Sequence, residues 1–353
     1  MPNEWMTPRE RWEAAIRRGR PDRIPLDYWA TAEASRKLMD HLGLSDMDQV
    51  YARLHIDRPV FVGPAYVGPT PAPGRNYWGV EHRTIDYGTG SYAEAVSSPL
   101  AGYETVAQIE ANYTWPTIDW FDFSGIAGQA AGQERRPIQG GGSEPLLVYK
   151  QLRGEAQAFM DFIERPDLMR YILDKLFSLA YETTARIYRA IPGQVLITYV
   201  AEDMGAQDGL MYSPAHIREF LLPWMRRMAQ LVHENGAYVF HHNDGACRAI
   251  LPDMVETVGI DVLNPIQWRC AGMAREGLKA DFGDRLAFHG AVDNQYTIPF
   301  GTVEEVRAEV ADDMAILGAG GGYILAPCHN IQSVGPAENV VALYEAAYEG
   351  GWY

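Results

Sequence analysis

Two apolar runs, Ala237-Tyr238-Val239-Phe240 and Gly322-Tyr323-Ile324-Leu325-Ala326, each have the length of a buried strand. Polar residues follow both runs: His241-His242-Asn243-Asp244-Gly245 after the first, and Pro327-Cys328-His329 after the second. Near-continuous apolar strands are typical of a parallel sheet that is covered on both faces. Because parallel strands end at the same edge of their sheet, we expect these imidazole, carboxylate and thiol groups to converge.

The same alternation extends outward from these runs. Strand-like segments at 195–200, 237–241, 260–266, 286–292 and 322–327 alternate with helical segments at 214–235, 246–257, 271–279, 302–317 and 336–349. Further strands are predicted upstream, at 23–29 and 58–63. This regular alternation favours an α/β fold of the (β/α)₈ TIM-barrel type over an open sheet. No Gly-x-Gly-x-x-Gly follows the first strand, so a dinucleotide-binding domain is disfavoured.

The amino-terminal half adds decorations to this predicted barrel. Thr7-Pro8-Arg9-Glu10 predicts a helix that starts with a capping box. Residues 75–98 predict a β-hairpin insertion. We interpret residues 1–353 as one domain with amino-terminal helices, because no linker or repeat interrupts the pattern; further helices are predicted at 32–54, 104–112, 122–131 and 151–191.

Composition restricts the class of protein. Hydrophobic residues make up 47% and charged residues 22% of the 353 residues, as in globular proteins. The net charge of −16 argues against a general nucleic-acid binder, which needs a basic face. Three scattered cysteines predict a reducing, cytoplasmic environment, and the absence of a long apolar run predicts no membrane span.

Residues just past the strands of a TIM barrel line its active site. Here they are almost all able to ionise, to form hydrogen bonds or to bind a metal. Imidazole, carboxylate and thiolate groups together are typical ligands of a catalytic zinc ion. The candidates are Glu202, Asp203, His242, Asp244, Asn264, Gln267, Asp293, Cys328 and His329.

Several of these positions have a purely structural alternative. Asp293 could cap a helix, and Asn264 with Pro265 is a common turn pair. His289 could be a buried histidine with satisfied hydrogen bonds. His241 and His242 point to opposite sides of a strand, so one of them at most is expected to face the site. Cys247 could be an activated thiol at a helix start or a small buried side chain.

A series of motifs resembles the uroporphyrinogen decarboxylase superfamily over nearly the whole chain. The motifs include Pro21-Asp22-Arg23-Ile24-Pro25, Glu202-Asp203-Met204-Gly205, His242-Asn243-Asp244-Gly245, Asp261-Val262-Leu263-Asn264-Pro265-Ile266-Gln267, Gly290-Ala291-Val292-Asp293 and Gly320-Gly321-Gly322-Tyr323-Ile324. The resemblance implies a (β/α)₈ barrel and a possible homodimer. Members that act on porphyrins carry arginines after the first strand, whereas this chain has Tyr28-Trp29-Ala30-Thr31-Ala32-Glu33 there. A polycarboxylate substrate is therefore disfavoured.

The other branch of the superfamily contains cobalamin-dependent methyltransferases that hold zinc with a His-x-Cys-Gly segment and a distant cysteine. This chain matches that pattern at His242, Gly245 and Cys328 but has Asp244 in place of the first cysteine. The resemblance thus implies a zinc-dependent demethylase that moves methyl from a methoxy or methylamine donor to a corrinoid. No Asp-x-His-x-x-Gly corrinoid-binding segment occurs, so the corrinoid is expected on a partner protein or as a free cofactor.

The roles implied by this resemblance fall into three groups. The expected zinc ligands are His242, Cys328 and a carboxylate from Glu202 or Asp244. Proton donors to the leaving group are expected among Asp203, Tyr212 and His329. The expected substrate-binding residues are Tyr28, Trp29, Asn264, Gln267 and Asp293.

Two other functions remain open from the sequence. The first is a metal-independent decarboxylase or lyase of the same fold that acts on a small acid, which predicts full activity in chelator. The second is a non-catalytic binding protein on a degenerate barrel, and the dense polar set at the strand ends weighs against it.

Overall fold

A computed structural model describes residues 4–88 and 90–353 of the chain. Its centre is a curved sheet of seven parallel strands in the order β1-β6-β7-β8-β9-β10-β11. The α/β class and the parallel sheet predicted from the sequence are thus confirmed. The strands are β1 (Val60–Val62), β2 (Ala65–Tyr66), β3 (His82–Asp86), β4 (Ser91–Ala95), β5 (Phe121–Asp122), β6 (Ile138–Ser143), β7 (Ile197–Ala201), β8 (Tyr238–His242), β9 (Val262–Asn264), β10 (Ala287–Val292) and β11 (Tyr323–Pro327).

Helices follow the strands of this sheet as the sequence predicts, with interruptions. The predicted helix at 214–235 contains a π-helical turn, Ile217–Leu221, and the one at 246–257 is a short 3₁₀, α and π series. The segment 151–191 divides at Gly154 and Pro166. The α-helices are α1 (Pro8–Ile16), α2 (Ala32–Leu42), α3 (Met47–Arg53), α4 (Val106–Asn112), α5 (Ile126–Ala130), α6 (Pro145–Arg153), α7 (Glu155–Glu164), α8 (Pro166–Ala190), α9 (Pro214–His216), α10 (Leu222–Glu234), α11 (Leu251–Asp253), α12 (Arg275–Phe282), α13 (Thr297–Phe300), α14 (Val303–Ile316) and α15 (Ala337–Gly350).

The prediction of a first strand at 23–29 is corrected by the structure. This segment runs beside β11 and forms isolated bridges, Leu26 with Leu325 and Ala30 with Ile331, instead of a continuous strand. Pro25 has no N–H to donate, and Asp27 accepts the N–H of Tyr28 with its own side chain at 2.8 Å. These local bonds replace part of the ladder that a full strand would form.

Strand β6 was not predicted. Its sequence, Ile138-Gln139-Gly140-Gly141-Gly142-Ser143, lacks the apolar run that marks the other strands. Gly142 is required here, because it has φ +137° and a Cβ atom would collide with the carbonyl oxygen of Tyr199. The close approach of β6 to β7 therefore explains Gly142.

Helix α1 closes the amino-terminal end of the sheet. Its capping box forms as predicted, with the Thr7 side chain accepting the N–H of Glu10. Trp12, Ala15 and Ile16 are 0 to 1% exposed and pack on the first residues of β7, β9 and β10. A buried ion network anchors this helix: Arg11 Nε and Nη1 donate to Asp22 and Asp57 at 2.7 and 2.6 Å.

Two small antiparallel sheets decorate the fold. Strands β3 and β4 form the hairpin that was predicted at 75–98, and β2 pairs with β5. The hydroxyl of Tyr87, beyond β3, donates to Gln332 Oε1 at 3.1 Å and so connects the hairpin to the loop after β11. Within 4–88 and 90–353, no helix has the length and apolar character needed to span a bilayer.

Candidate active site

His242, the last residue of β8, is held by a chain of buried hydrogen bonds. Its Nδ1 lies 2.6 Å from Asn264 Oδ1, and Asn264 Nδ2 lies 2.6 Å from His289 Nδ1. The other ring nitrogen of His289, Nε2, is 3.0 Å from Asp27 Oδ2. His242 is 5% exposed, and Asn264 and His289 are completely buried.

The direction of this chain follows from Asp27, because a carboxylate only accepts hydrogen bonds. His289 must therefore donate from Nε2, and its Nδ1 accepts from the Asn264 amide. The amide oxygen of Asn264 then accepts from His242 Nδ1–H. As a result, His242 presents the lone pair of its Nε2 to the site, which is the form that binds a metal.

His242, Asp244 and His329 form a cluster at the carboxyl ends of β8 and β11. One ligand atom from each lies within 4.8 Å of the others. His242 Nε2 is 3.8 Å from Asp244 Oδ1, and His329 Nε2 is 3.7 Å from Asp244 Oδ2. Asp203 also approaches, with Oδ1 3.7 Å from His242 Nε2. Burial raises the pKa of Asp244, while the two histidines act in the opposite direction.

Gln267 and two glycines position Asp244. Gln267 Nε2 donates to Asp244 Oδ1 at 3.0 Å, and Gln267 Oε1 accepts the N–H of Gly245 at 2.5 Å. Gly245 has φ +80°, and a Cβ atom there would lie 2.6 Å from the carbonyl carbon of Gly205. The loops after β7 and β8 thus pack backbone against backbone, which explains both glycines in the quoted motifs.

Glu202 lies outside this cluster. It is completely buried, and both its carboxylate oxygens accept the N–H of Leu146, at 3.0 and 3.1 Å, near the start of α6. Burial raises its pKa well above the ordinary value. These bonds explain why Glu202 does not turn toward His242.

Cys328 also lies outside the cluster of His242, Asp244 and His329. Its Sγ donates to Asn294 Oδ1 at 2.9 Å and accepts the Asn294 N–H at 3.5 Å. Burial raises the pKa of this thiol, so it stays protonated in this arrangement. The structure thus brings together His242, Asp244 and His329 but places the thiol in a different hydrogen-bonded pair.

Two further predicted residues, Asp293 and Tyr212, have distinct surroundings. Asp293 accepts the N–H groups of Gln295, Tyr296 and Thr297 and pairs with Arg269 at 2.7 Å, as in the helix-cap alternative. Tyr212 stacks on Phe159, and its buried hydroxyl has no hydrogen-bond partner among the described residues. Burial raises the pKa of Tyr212, so this hydroxyl remains a donor.

Burial decides between the alternatives that the sequence left open for His241 and Cys247. His241 Nδ1 lies 2.7 Å from the carbonyl of Val200, on the opposite side of β8 from His242. Burial lowers the pKa of His241 to about 4. Cys247 is completely buried and its pKa is raised to about 12, which excludes an activated thiol.

A cavity of about 430 Å³ lies beside His242. The rings of Trp29 and Tyr199 lie between the cavity and His242, with centroids 5.8 and 5.5 Å from the His242 ring. Predicted residues Tyr28 and Trp29 therefore do line a cavity. The aromatic walls are Trp12, Tyr28, Trp29, Phe61, Tyr199 and Phe240, and the polar lining is Asp27, Arg58, Gln139 and Asn330.

Sequence reasoning missed several residues of this region, among them Asp27, Glu144, Tyr199 and Phe240. Tyr199 and Phe240 lie inside strands, two residues from a strand end and on its inward side, so the period of two could have found them. Glu144 follows the unrecognised β6. Burial, with Asp203 nearby, raises the pKa of Glu144 to about 7.

These features define an α/β protein whose polar cluster and aromatic cavity lie within a curved parallel sheet. The chain belongs to the uroporphyrinogen decarboxylase (URO-D) family, whose sequence model matches residues 128–350.

Relatives and solved structures agree with this assignment. A uroporphyrinogen decarboxylase of Pseudomonas syringae pv. syringae is 27% identical over 284 residues, which cover 74% of each protein. One from Neisseria meningitidis is 27% identical over 219 residues, 60% of this chain and 54% of that protein. The chain thus spans about half of one such relative and three quarters of the other. A methyltransferase structure from Methanosarcina mazei shares the fold, with TM-score 0.67 and 21% identity over 98% of this chain and 99% of that one.

Proposed function

We propose that this protein is a zinc-dependent methyltransferase that moves a methyl group from a small methylated donor to a corrinoid acceptor. The observation that supports this proposal is the His242, Asp244 and His329 cluster beside the aromatic cavity. The similarity in fold to a methyltransferase is consistent with it.

The cluster fits zinc in the chemistry of its donors. Two imidazoles and one carboxylate are a known set for catalytic zinc, and they leave a position open for substrate. Asn264 fixes the tautomer of His242, and Gln267 orients Asp244, as outer hydrogen bonds do around metal ligands. Zinc bound there would act as a Lewis acid on the atom that loses the methyl group.

The other residues would bind the donor and transfer a proton to the leaving group. Trp29 and Tyr28 line the cavity that we assign to the donor. Asp203, close to His242, and Tyr212, which stays protonated, are our candidates for proton transfer to a leaving group. Cys328 and Glu202 would then support the site from outside the metal cluster.

The corrinoid would meet the site at the open end of the sheet. The cavity is near the lower end of the range for drug-sized ligands, so it suits a small donor and not a corrinoid ring. The chain also has no Asp-x-His-x-x-Gly segment. A partner protein is therefore our preferred source of the corrinoid, with the free cofactor as the alternative.

We also infer that the segment 24–30 completes the sheet as an eighth strand of a (β/α)₈ barrel. On one side it bridges to β11. On the other, the carbonyl of Leu26 accepts the N–H of Asp57, shortly before β1, at 2.7 Å. These contacts support closure of the seven-stranded sheet.

A second candidate is a metal-independent decarboxylase of the URO-D type acting on a small acid. The names of the curated relatives favour it. Against it, Arg58 is the single cationic residue among the described residues that line the cavity, so a polycarboxylate would find one partner there.

Elemental analysis of the untagged protein tests the zinc proposal. We expect about one zinc per chain, because the described residues contain one such cluster, and we expect its loss in His242→Ala, Asp244→Ala and His329→Ala. The exposed variant His41→Ala is the matched control and should keep the metal. Loss of zinc in Cys328→Ala as well would add the thiol to the ligand set. A folded, metal-free wild type that decarboxylates a small acid in chelator would replace this proposal with the second candidate.

A further inference from the structure

A second cavity, of about 330 Å³, lies between the end of β6 and the helices α6 and α8. Within the described part of the chain, it shares no lining residue with the cavity beside His242. Its volume is at the lower end of the range for small-molecule pockets. The indole N–H of Trp78 is used within the lining, by the Tyr77 hydroxyl. The aromatic wall consists of Tyr77, Trp78 and Phe121, and the aliphatic wall of Val148, Leu176 and Leu179.

The polar lining of this second cavity includes Ser143, the last residue of β6. Ser143 is 6% exposed, and its hydroxyl is buried without a hydrogen-bond partner among the described residues. Its position is fixed, because Ser143 pairs with Val200 in the ladder between β6 and β7. A buried hydroxyl without a partner is unfavourable, so we expect a bound molecule to supply that partner.

Glu144 follows Ser143 and lines the same cavity. Its carboxyl forms no hydrogen bond or ion pair within 4–88 and 90–353, although the charges of Lys150 and His242 act on it from a longer distance. Thr183 adds a second hydroxyl to the lining. None of the described lining residues is cationic. The second cavity therefore offers oxygen acceptors and a carboxyl group, and it lacks a positive charge of its own to balance them.

We infer that the second cavity binds a primary alkylammonium ion, with its ammonium group between Ser143 and Glu144 and its alkyl chain along the aliphatic wall. An ammonium group has three N–H donors and no acceptor, which matches a lining of oxygens. Aromatic rings attract cations, and the attraction grows when the site is desolvated. Burial of the alkyl chain adds hydrophobic free energy. This inference requires neither zinc nor the proposed function.

Calorimetric titration of the full chain at pH 8, in chelator, tests the inference. At this pH Glu144, whose pKa is about 7, is mostly ionised, and an alkylamine is protonated. The probes are pentylamine, its neutral analogue pentan-1-ol, the anion pentanoate, and methylamine. We expect pentylamine to bind about tenfold more tightly than pentan-1-ol, because its hydrogen bonds are charge-assisted. Methylamine should bind at least about tenfold more weakly, because it lacks the buried methylenes, and pentanoate should not bind.

Three variants assign the binding to this cavity. Glu144→Gln should reduce the affinity for pentylamine about tenfold and leave that for pentan-1-ol unchanged. Ser143→Ala should reduce both affinities about fivefold, because one hydrogen bond is lost. Ala180→Leu, which adds methylenes from α8, should prevent binding of both, and denaturant unfolding verifies that this variant is folded. Glu110→Gln, exposed on α4, is the matched control and should change neither affinity.

Equal affinity for pentylamine and pentan-1-ol would overturn the inference, because the charge would then have no effect. No binding of any probe would also overturn it and would leave water as the partner of Ser143. Unchanged binding of pentylamine in folded Ala180→Leu would overturn it as well, since the amine would bind elsewhere. Absence of zinc in the purified protein would remove the proposed function without changing these titrations.

Discussion

At the scale of single residues, Asn264 has the most consequential placement. The oxygen of its amide accepts from His242 and the nitrogen donates to His289. Through this chain of hydrogen bonds, the carboxylate of Asp27 determines that His242 carries its proton on Nδ1. It was expected to bind substrate, and its side chain instead has both polar atoms occupied within the protein. Its function in the proposed site is therefore to orient a ligand.

Replacing Asn264 should affect stability and metal binding differently. Asn264→Ala leaves buried nitrogens of His242 and His289 unpaired, which should lower the free energy of unfolding by at least about 2 kcal/mol. Zinc affinity should fall about 10- to 100-fold. Asn264→Asp restores an acceptor to His242 and should recover zinc affinity more than stability, as measured by denaturant unfolding and zinc titration. Asn112→Ala, on exposed α4, is the control; equal zinc affinity in all variants would contradict the orienting function.

Glu144 should make stability depend on pH. Its ordinary pKa of 4.5 applies to the unfolded chain, and the folded value is about 7. The folded state therefore binds the proton more tightly, and the contribution of Glu144 to stability falls as pH rises from 4.5 to 7.

Glu144→Gln should thus be more stable than wild type at pH 8, by at most about 3 kcal/mol, and equal to it near pH 4. Unfolding is measured in chelator, because a bound cation would stabilise the charged carboxylate. Glu110→Gln, exposed on α4, should show no such crossover. A difference that is constant with pH would exclude this cause.

How far single residues could be predicted depended on whether their strand was recognised. His242, Asp244 and His329 follow apolar runs that are visible in the sequence, and the structure brings them together. The direction of the Cys328 side chain depends on its bonds to Asn294, to which no sequence pattern pointed. Glu144 was missed because a glycine-rich strand precedes it.

At the scale of elements, the amino-terminal helix depends on a buried ion network. Asp57 accepts from Arg11 Nη1 at 2.6 Å, from Arg23 Nη1 at 2.7 Å and from the Leu26 N–H at 3.0 Å. These bonds connect α1, the segment 24–30 and the start of β1. The motif that contains Arg23 in the sequence thus has an architectural function.

Asp57→Asn should therefore be strongly destabilising. It leaves two buried guanidinium groups with one carboxylate fewer, and loss of a partner in a buried pair costs about 3–5 kcal/mol. Denaturant unfolding at neutral pH measures the change. Asp167→Asn is the matched control, because Asp167 is 96% exposed in its pair with Arg170 and should change stability by less than about 1 kcal/mol. Similar effects of both substitutions would show that the network does not hold α1.

At the scale of the whole molecule, the periodic carboxyl-terminal half was predicted better than the rest. Strands β7 to β11 each lie within about two residues of their predicted positions. Local apolar runs determine these strands. The segment 24–30 and β6 depend instead on long-range contacts, with β11 and with β7, that a local pattern does not contain.

Zinc should stabilise the whole fold if it binds the proposed cluster. At a free concentration of 100 times the dissociation constant, binding to the folded state adds about 2.7 kcal/mol. The melting temperature of the chelator-treated protein should rise when zinc is added, and the rise should disappear in Asp244→Asn. Magnesium, which prefers oxygen ligands, should give a smaller rise. A zinc response that persists in Asp244→Asn would place the metal elsewhere.

Helix α1 also restricts the end of the sheet from which small molecules can reach the site. Trp12 and its neighbours seal the amino-terminal end of the sheet, while the metal cluster lies at the other end. A carrier protein docked over the cluster would cover the same face through which a donor enters. Under the proposed function, the donor would therefore have to bind before the carrier docks, and the demethylated product would leave only after the carrier has dissociated. Steady-state kinetics with carrier and donor should accordingly show a compulsory order of addition.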